Sequence, residues 1–305
     1  MKKSKVCVVI PVYKGKGIVD KCINALLNQT YKPDKIVCVD DASPDNSGGY
    51  VKEKFPFVKI IKNKINLGSP GAYARGIKYA YKSGFEYVWL LDQDDIPFKD
   101  ALGNLLKISE KRNSIVFTST LINPSTHIVY PMLSRRHVDF NNPYVAEVVY
   151  FAGMLLHKNL IKKIGYPLRE LTMDAGDWEY CLRCKKEGYE ICVIPKSRIY
   201  HIGGEPKIVK MFITRTHYKL KKDKIEKFSS KYAFTRLDSP ERYYTRIKNI
   251  ILVMKLPYAT SFFRNFALKL FFKQFSKIVF YEDEKIEKVN VFLHGIIDGL
   301  SKSTN

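Results

Sequence analysis

A mostly parallel α/β sheet flanked by helices, followed by a basic and mainly helical C-terminal region, is the architecture this 305-residue sequence predicts. Three observations predict it. Short, near-continuous apolar runs alternate with stretches of helical spacing through the first third, the pattern of strands buried on both faces. Acidic residues stand directly after several of those runs. From about Lys207 the charge changes, with 18 Lys and Arg against four acids up to Lys277. The implied division is 1–206 for the α/β domain and 207–305 for the basic region.

The elements follow in order. Lys5–Pro11 (KVCVVIP) reads as the first strand and Ile18–Gln29 as the first helix. Lys35–Asp40 (KIVCVD) is the second strand, closed by a turn over Asp41–Asp45. Val58–Lys62 is a third strand, Ala72–Tyr81 a helix, and Glu86–Leu91 (EYVWLL) a fourth strand. Beyond them come strand-like stretches at Ser114–Thr120 and Val145–Leu156, then a helix over Gly176–Lys186. Strands at Glu190–Pro195 and Arg198–His201 close the domain. In the basic region Ser261–Phe280 reads as a helix. Lys269, Lys273 and Lys277 share one of its faces, and Phe263, Ala267, Leu270, Phe271, Phe275 and Ile278 lie largely on the other. Aromatics opposite a cationic stripe suit a helix lying on an anionic membrane surface. The same pattern also fits packing on the first domain.

Composition narrows the class. Apolar residues make up 46%, enough for a buried core and too many for a disordered chain. The net charge of +22 calls for an anionic partner: nucleic acid, sugar nucleotide or lipid surface. No run approaches the roughly 18 apolar residues that span a bilayer. Val6–Val12 is too short for a signal peptide and is followed by Lys14 and Lys16. Cys7, Cys22, Cys38 and Cys192 lie in apolar runs, as thiols in a reducing cytoplasm would. A disulfide-stapled secreted protein is therefore not expected.

In parallel α/β sheets ligands bind beyond the carboxyl ends of the strands, which selects Pro11–Tyr13, Asp40–Asp41 and Asp92–Asp95. Asp92, Asp94 and Asp95 crowd three carboxylates into four residues and repel one another unless a cation relieves them. Hard oxygen ligands at a strand end suit Mg²⁺ or Mn²⁺ bridging a diphosphate. A solvated acidic turn, with Pro97 starting the next helix, is the alternative. Asp40 and Asp41 close the second strand, where a carboxylate could accept from a nucleobase N–H or ribose hydroxyl; a turn with Ser43 or Asp45 as helix cap is the alternative. Gly68, in Asn66–Gly71 ahead of a helix that carries Arg75, permits close backbone approach to an anion. Asp177 falls in the first turn of its helix, where the helix dipole favours an ionised carboxylate fit to act as a general base. Capping alone would explain it as well, and Glu179 is an alternative base. Cys181 and Cys184 have no second pair at zinc spacing, so packing accounts for them. His201, before Gly203 and Gly204, stands where an imidazole ligand would suit Mn²⁺ better than Mg²⁺.

Together these motifs resemble the family 2 glycosyltransferases, whose fold is the nucleotide-diphospho-sugar transferase or GT-A fold. The residues that carry the likeness are VVIPVYKG from Val8, QTYKP from Gln29, VDDAS from Val39, NLGSPGAYARG from Asn66 and LLDQDD from Leu90. GDWEYCLRCKKEGY from Gly176 and IYHIGG from Ile199 continue it, so it covers roughly residues 5–205. Within the family it looks closest to bacterial rhamnosyltransferases and galactofuranosyltransferases. Arg242-Tyr243-Tyr244-Thr245-Arg246, with Asn249 displaced, and the terminal His294–Gly299 approximate that subgroup.

The resemblance implies that Pro11 and Tyr13 border the nucleotide and that Asp41 contacts the base. Asp92 and Asp94 would hold a divalent metal and the diphosphate, with His201 a further ligand. Asp177 would be the catalytic base, with Trp178 and Glu179 beside the substrate, and Arg75 and Gly68 near the diphosphate. Arg75 replaces an Asn found in many relatives. Gly176 replaces an acid seen in galactofuranosyl relatives, which speaks against that donor. The implied activity is inverting transfer of a sugar such as rhamnose, from a dTDP- or UDP-linked donor to a glycan or lipid-linked acceptor. The implied place is the inner face of the cell membrane. A sugar-nucleotide pyrophosphorylase is one rival, although Val12–Gly17 supplies little of the Gly-rich loop it needs. A nucleic-acid-binding protein is the other, and no recognition motif accompanies the charge.

Overall fold

The computed structural model describes residues 4–109, 115–130, 132–136, 138–203, 207–235 and 238–302. Gly204, the 206/207 division and the first residue of the Ser114–Thr120 stretch fall at or outside those limits. Strands β1 (Val6–Val12), β2 (Lys35–Asp40), β3 (Lys59–Lys62) and β4 (Tyr87–Leu90) run parallel, in the order β3-β2-β1-β4. Val6, Cys7, Val8, Val9 and Ile10 of β1 are all fully buried, which explains the lack of alternation in their sequence. Helices α1 (Val19–Leu27), α2 (Ser47–Lys54) and α3 (Gly68–Lys82) make the crossovers. Gly76 lets α3 press onto the sheet, since a Cβ there would fall 2.2 Å from Val9 Cγ1.

The sheet then changes direction. β8 (Met154–His157) pairs antiparallel with β4 and with β6 (Ile115–Ile122), while β9 (Glu190–His201) runs parallel to β6. β5 (Asp95–Pro97) and β7 (Tyr144–Ala146) pair antiparallel with β9. The Val145–Leu156 stretch, which reads as one strand-like run, is thus two strands with a turn between them. The two strands expected at Glu190–Pro195 and Arg198–His201 are one. Its pairing with β6 steps from Ser119↔Ile194 to Thr120↔Arg198, leaving residues 195–197 as a bulge. Ser197 anchors that bulge through contacts to Ser119 Oγ at 2.7 Å and to the Ala101 carbonyl at 2.9 Å.

Helices α4 (Ala101–Ser109), α5 (Lys158–Ile164) and α6 (Gly176–Lys186) complete the domain. The basic region opens with an antiparallel pair, β10 (Lys207–Lys221) and β11 (Lys224–Thr235), where the sequence points to helix. Their high content of β-branched and aromatic residues outweighs the lysines. Helices α7 (Pro240–Lys255), α8 (Ser261–Tyr281) and α9 (Lys285–Ser301) follow. Ser239 and Thr260 cap α7 and α8 by accepting from the Arg242 and Phe263 amides.

Phe263, Ala267 and Ile278 of α8 are fully buried, and the Trp178 ring packs edge-on against Phe263 and Phe266. Much of the apolar face expected to meet lipid therefore packs inward. Lys277, on the expected cationic stripe, pairs with Glu282 at 2.9 Å and Asp238 at 3.5 Å. No helix among the described residues is long and apolar enough to cross a membrane.

Candidate active site

The carboxyl ends of β1, β2 and β4 form one edge. At β4 the chain turns through Asp92–Asp95, and the Asp95 carboxylate closes the turn by accepting from the Asp92 amide at 2.8 Å. β5 begins at Asp95 and pairs it with His201 at the end of β9. Asp95 is fully buried, and its Oδ1 lies 2.7 Å from His201 Nδ1. Asp92 Oδ2 and Asp94 Oδ1 lie 3.9 and 4.0 Å from the same nitrogen. Asp92 Oδ1 accepts from the Tyr73 hydroxyl at 2.6 Å, and Asp94 Oδ2 from the Gly203 amide at 2.9 Å. Gly203 has φ +58, and a Cβ on it would fall 3.1 Å from both His201 Nε2 and the Tyr130 hydroxyl, so the turn calls for glycine.

Charge crowding marks the cluster. Burial, only partly offset by His201, pushes the Asp95 carboxyl up to about 7. Burial likewise raises Asp92, with His201 opposing and Asp94 reinforcing. Burial disfavours a charged His201, but the Asp95 hydrogen bond and the Asp95, Asp92 and Asp94 charges outweigh it and push the imidazole up to about 10. One ligand atom from each of Asp92, Asp95 and His201 lies within 4.8 Å of the others. Two carboxylates and an imidazole are a fitting donor set for a divalent cation, Mn²⁺ more than Mg²⁺. Asp92, Asp94 and His201 are thus brought together as the sequence implies, with Asp95 making the shortest contact to the imidazole. Asp95 belongs to the acidic run, and its part depends on the β5–β9 pairing.

The residues expected to border the nucleotide lie at the ends of the neighbouring strands β1 and β2. Pro11 is half-buried in β1, and Tyr13, 40% exposed, stands just past its end. Gln93 clamps the Tyr13 backbone, accepting from its amide at 3.0 Å and donating to its carbonyl at 3.1 Å. Asp41, buried at the end of β2, accepts from Asn63 Nδ2 at 2.6 Å and the Leu67 amide at 2.9 Å, and so fixes the loop that leads to Gly68. Gly68 has φ +69, and a Cβ there would collide with the Thr172 carbonyl at 1.9 Å. Arg75 is not brought to the cluster. It is exposed, and it follows Tyr73 by two residues, about 200° round the helix.

Asp177 and Trp178 line a cleft of about 590 Å³ between α6 and helices α7 and α8. Asp177 is half-buried, and its Oδ1 accepts from the Trp178 amide at 2.9 Å. Burial, reinforced by Asp174, pushes its carboxyl up to about 7. Asp174 is held from α7: Arg242 and Arg246 reach its two oxygens at 3.2 and 3.1 Å, and Asn249 donates to its carbonyl at 3.0 Å. Ala175, with φ +71, then turns the chain into α6. Glu179 is a correction to the expectation. It is fully buried, paired with Arg183 at 2.8 Å, and accepts from the Tyr258 hydroxyl at 2.7 Å. Its charge is answered inside the fold by Arg183 and Tyr258, so Glu179 serves the packing of α6 in place of the contact or alternative base expected. Cys181 and Cys184 are buried packing residues, as expected.

Residues 7–165 match the family described as glycosyl transferase family 2. The chain belongs to that family. Among its relatives is the poly(ribitol-phosphate) beta-glucosyltransferase of Bacillus spizizenii, 34% identical over 64% of this chain and 35% of that protein. The dTDP-rhamnosyl transferase RfbF of Shigella flexneri is 22% identical over 77% of this chain and 76% of that protein. The chain thus spans about a third of the first relative and three quarters of the second. TarS residues 1–349 of S. aureus, solved with UDP-GlcNAc, superpose with a TM-score of 0.59 at 17% identity, over 96% of this chain and 81% of that one. The fold of this family 2 chain is accordingly GT-A, and a rhamnosyl relative stands where the sequence motifs point.

Proposed function

We propose that the chain is an inverting glycosyltransferase that moves a sugar from a nucleotide-diphosphate donor to an acceptor hydroxyl in cell-surface polysaccharide synthesis. The observation that carries this reading is the placement of Asp177. It is half-buried and lines, with Trp178, an open cleft of about 590 Å³. Cluster and cleft then divide the work. Asp92, Asp94 or Asp95, and His201 would hold a divalent metal, which when bound supplies positive charge to the departing diphosphate. Pro11, Tyr13 and the Asp41-fixed loop border the nucleotide. Asp177 takes the proton of the acceptor hydroxyl as its oxygen attacks the anomeric carbon from the face opposite the leaving group. Trp178 offers its ring to the acceptor.

A dTDP- or UDP-linked donor is supported by the relatives, one a dTDP-rhamnosyl transferase and one solved with UDP-GlcNAc. A glycan or lipid-linked acceptor met at an anionic membrane surface, on the cytoplasmic side, completes the reading. The test is turnover across a panel of dTDP- and UDP-sugars with Mg²⁺ or Mn²⁺. Turnover that stops in excess chelator and in Asp177→Asn is expected. Full turnover in chelator removes the metal, and full turnover by Asp177→Asn removes the base.

A further inference from the structure

Helix α9 buries one face and leaves the other open. Phe292 packs in one cluster with Tyr243, Ile247 and Ile251 of α7, and Gly295 and Gly299 are buried beside it. The opposite face carries Ile286, Asn290, Leu293, Ile297 and Leu300, spaced by alternate steps of four and three residues. Ile286 is 90% exposed, Leu300 61%, Ile297 60% and Leu293 49%, and Asn290 is exposed among them. That alternation is the seam of a coiled coil, whose members face a partner helix. Taking Leu293 and Leu300 as d positions places Asn290 and Ile297 at a. Isoleucine at a with leucine at d favours two strands, and a single asparagine at a fixes their register.

Helix α8 carries a second row of the same spacing, Leu268, Phe272, Phe275 and Val279, all exposed. The two rows border one groove of about 610 Å³, lined by Leu268, Phe272 and Phe275 of α8 and by Leu293 and Leu300 of α9. A large apolar side chain exposes about 150–250 Å² in full, so the fractional exposures of both rows amount to about 900 Å² per copy. A standard interface takes about 800 Å² from each partner. Charge selects the occupant. Neither row holds an ionisable side chain, and α9 as a whole is neutral, with Lys285 and Lys288 against Glu287 and Asp298. A net charge of +22 opposes self-association, and least along a face like this one. An anionic lipid surface would find no cation in either row to hold it.

We propose that the chain forms a two-fold dimer in which the α9 helices of two copies pair in parallel along the Ile286–Leu300 seam, flanked by the α8 rows. The parallel sense follows from Asn290. At an a position of a parallel pair it meets its own counterpart, and each carboxamide N–H donates to the other's carbonyl oxygen. An antiparallel pair would set each amide against an apolar d residue. The interface lies across α8 from the Asp177 cleft, which Lys269, Lys273 and Lys277 line, so pairing leaves that cleft open. The assignment does not depend on Asp177 being the base.

Sedimentation velocity of the full chain over a wide range of concentration tests it. A species of twice the chain mass is expected at high concentration. Leu293→Glu/Ile297→Glu should weaken association about 100-fold or more, because the paired state would bury unpaired carboxylates. Both positions are exposed in the single chain, and an unchanged circular dichroism spectrum checks the fold. Asn290→Cys tests the sense of pairing. The native cysteines are all buried, so a short bismaleimide should join two chains through the new thiol. Lys285→Cys, about 100° or more round the helix from the seam, should join few. A monomer at every concentration, a trimer, or association that the glutamates leave unaltered overturns the proposal. So does Lys285→Cys cross-linking as readily as Asn290→Cys. Binding to phosphatidylglycerol vesicles that the glutamates abolish, by a chain that stays monomeric in solution, would assign the face to lipid and overturn it too.

Discussion

Asp95 and His201, 106 positions apart in the chain, meet across the β5–β9 pair with Asp95 Oδ1 2.7 Å from His201 Nδ1. That contact fixes the plane of the imidazole beside Asp92 and Asp94. Asp95 thus belongs to the candidate donor set and also orients the histidine, and removing such a partner commonly lowers the affinity of a metal site. Asp95→Asn preserves shape and removes the charge. We expect Mn²⁺ affinity to fall about 10–100-fold, read by electron paramagnetic resonance titration of free Mn²⁺. Unchanged affinity would remove Asp95 from the metal site.

Asp177 must be ionised to take a proton, and its carboxyl is pushed up to about 7 by burial and Asp174. The turnover number is therefore expected to rise with pH through about 7 and to level off above it. Below the limb it should fall about tenfold per pH unit, as one required deprotonation dictates. Asp177→Asn should lower kcat by roughly 10²-fold or more and erase this limb, with donor affinity unchanged. A limb that persists in the variant belongs to another group.

Arg246 bridges Asp174 at 3.1 Å and Asp238 at 2.8 Å. Arg246→Met leaves two carboxylates with one cation fewer, and loss of one partner of a buried pair costs about 3–5 kcal/mol. The variant should melt at a lower temperature. Its Asp174 charge, less neutralised, should also move the kcat limb to higher pH, and Arg246→Lys should bring the limb part of the way back. A lower melting temperature with the limb in place would make Arg246 purely structural.

Glu179 offers the opposite contrast. Its neutral variant Glu179→Gln should leave kcat within about twofold while the fold loses on the order of 1–3 kcal/mol, since a buried hydrogen-bonded charge pair is broken. Denaturant melts alongside initial rates separate the two effects. A collapse of kcat with full stability would return Glu179 to the site.

The parallel half of the sheet is legible in the sequence because β1, β2 and β4 are buried on both faces, so their apolar runs carry the strand signal alone. β2 matches its expected bounds Lys35–Asp40, and α6 its bounds Gly176–Lys186. The three residues of β5 are not legible, since Asp95-Ile96-Pro97 is too short to show any period and exists as a strand only through β9. The β10–β11 pair escapes a reading dominated by its lysines, because its β-branched residues decide the backbone. At the site, Asp92, Asp94, His201 and Asp177 stand out as polar residues at element ends. The burial of Glu179 is hidden because Arg183 and Tyr258 answer its charge, and Tyr258 lies in the distant loop between α7 and α8. The inward face of α8 is obscured for a similar reason: helical spacing defines faces, and the neighbouring Trp178 decides which of them is covered.

The bulge at residues 195–197 sets the parity of everything beyond it. Side chains in a strand alternate, so an odd number of extra residues exchanges the two faces. Counted without the bulge, His201 would fall on the face opposite Ile194; with three residues set aside, it shares that face and meets Asp95. Removing or adding a single residue there would bring Ile202 or Tyr200 to the carboxylates instead, with the strand otherwise intact. A change of two residues would keep His201 on its face but move it two positions along the strand, leaving Gly203 or Ile199 opposite Asp95. In this chain the identity of the residue that meets Asp95 is thus written partly as a length, and the segment 195–197 can be exchanged in an engineered variant only when its residue count is kept.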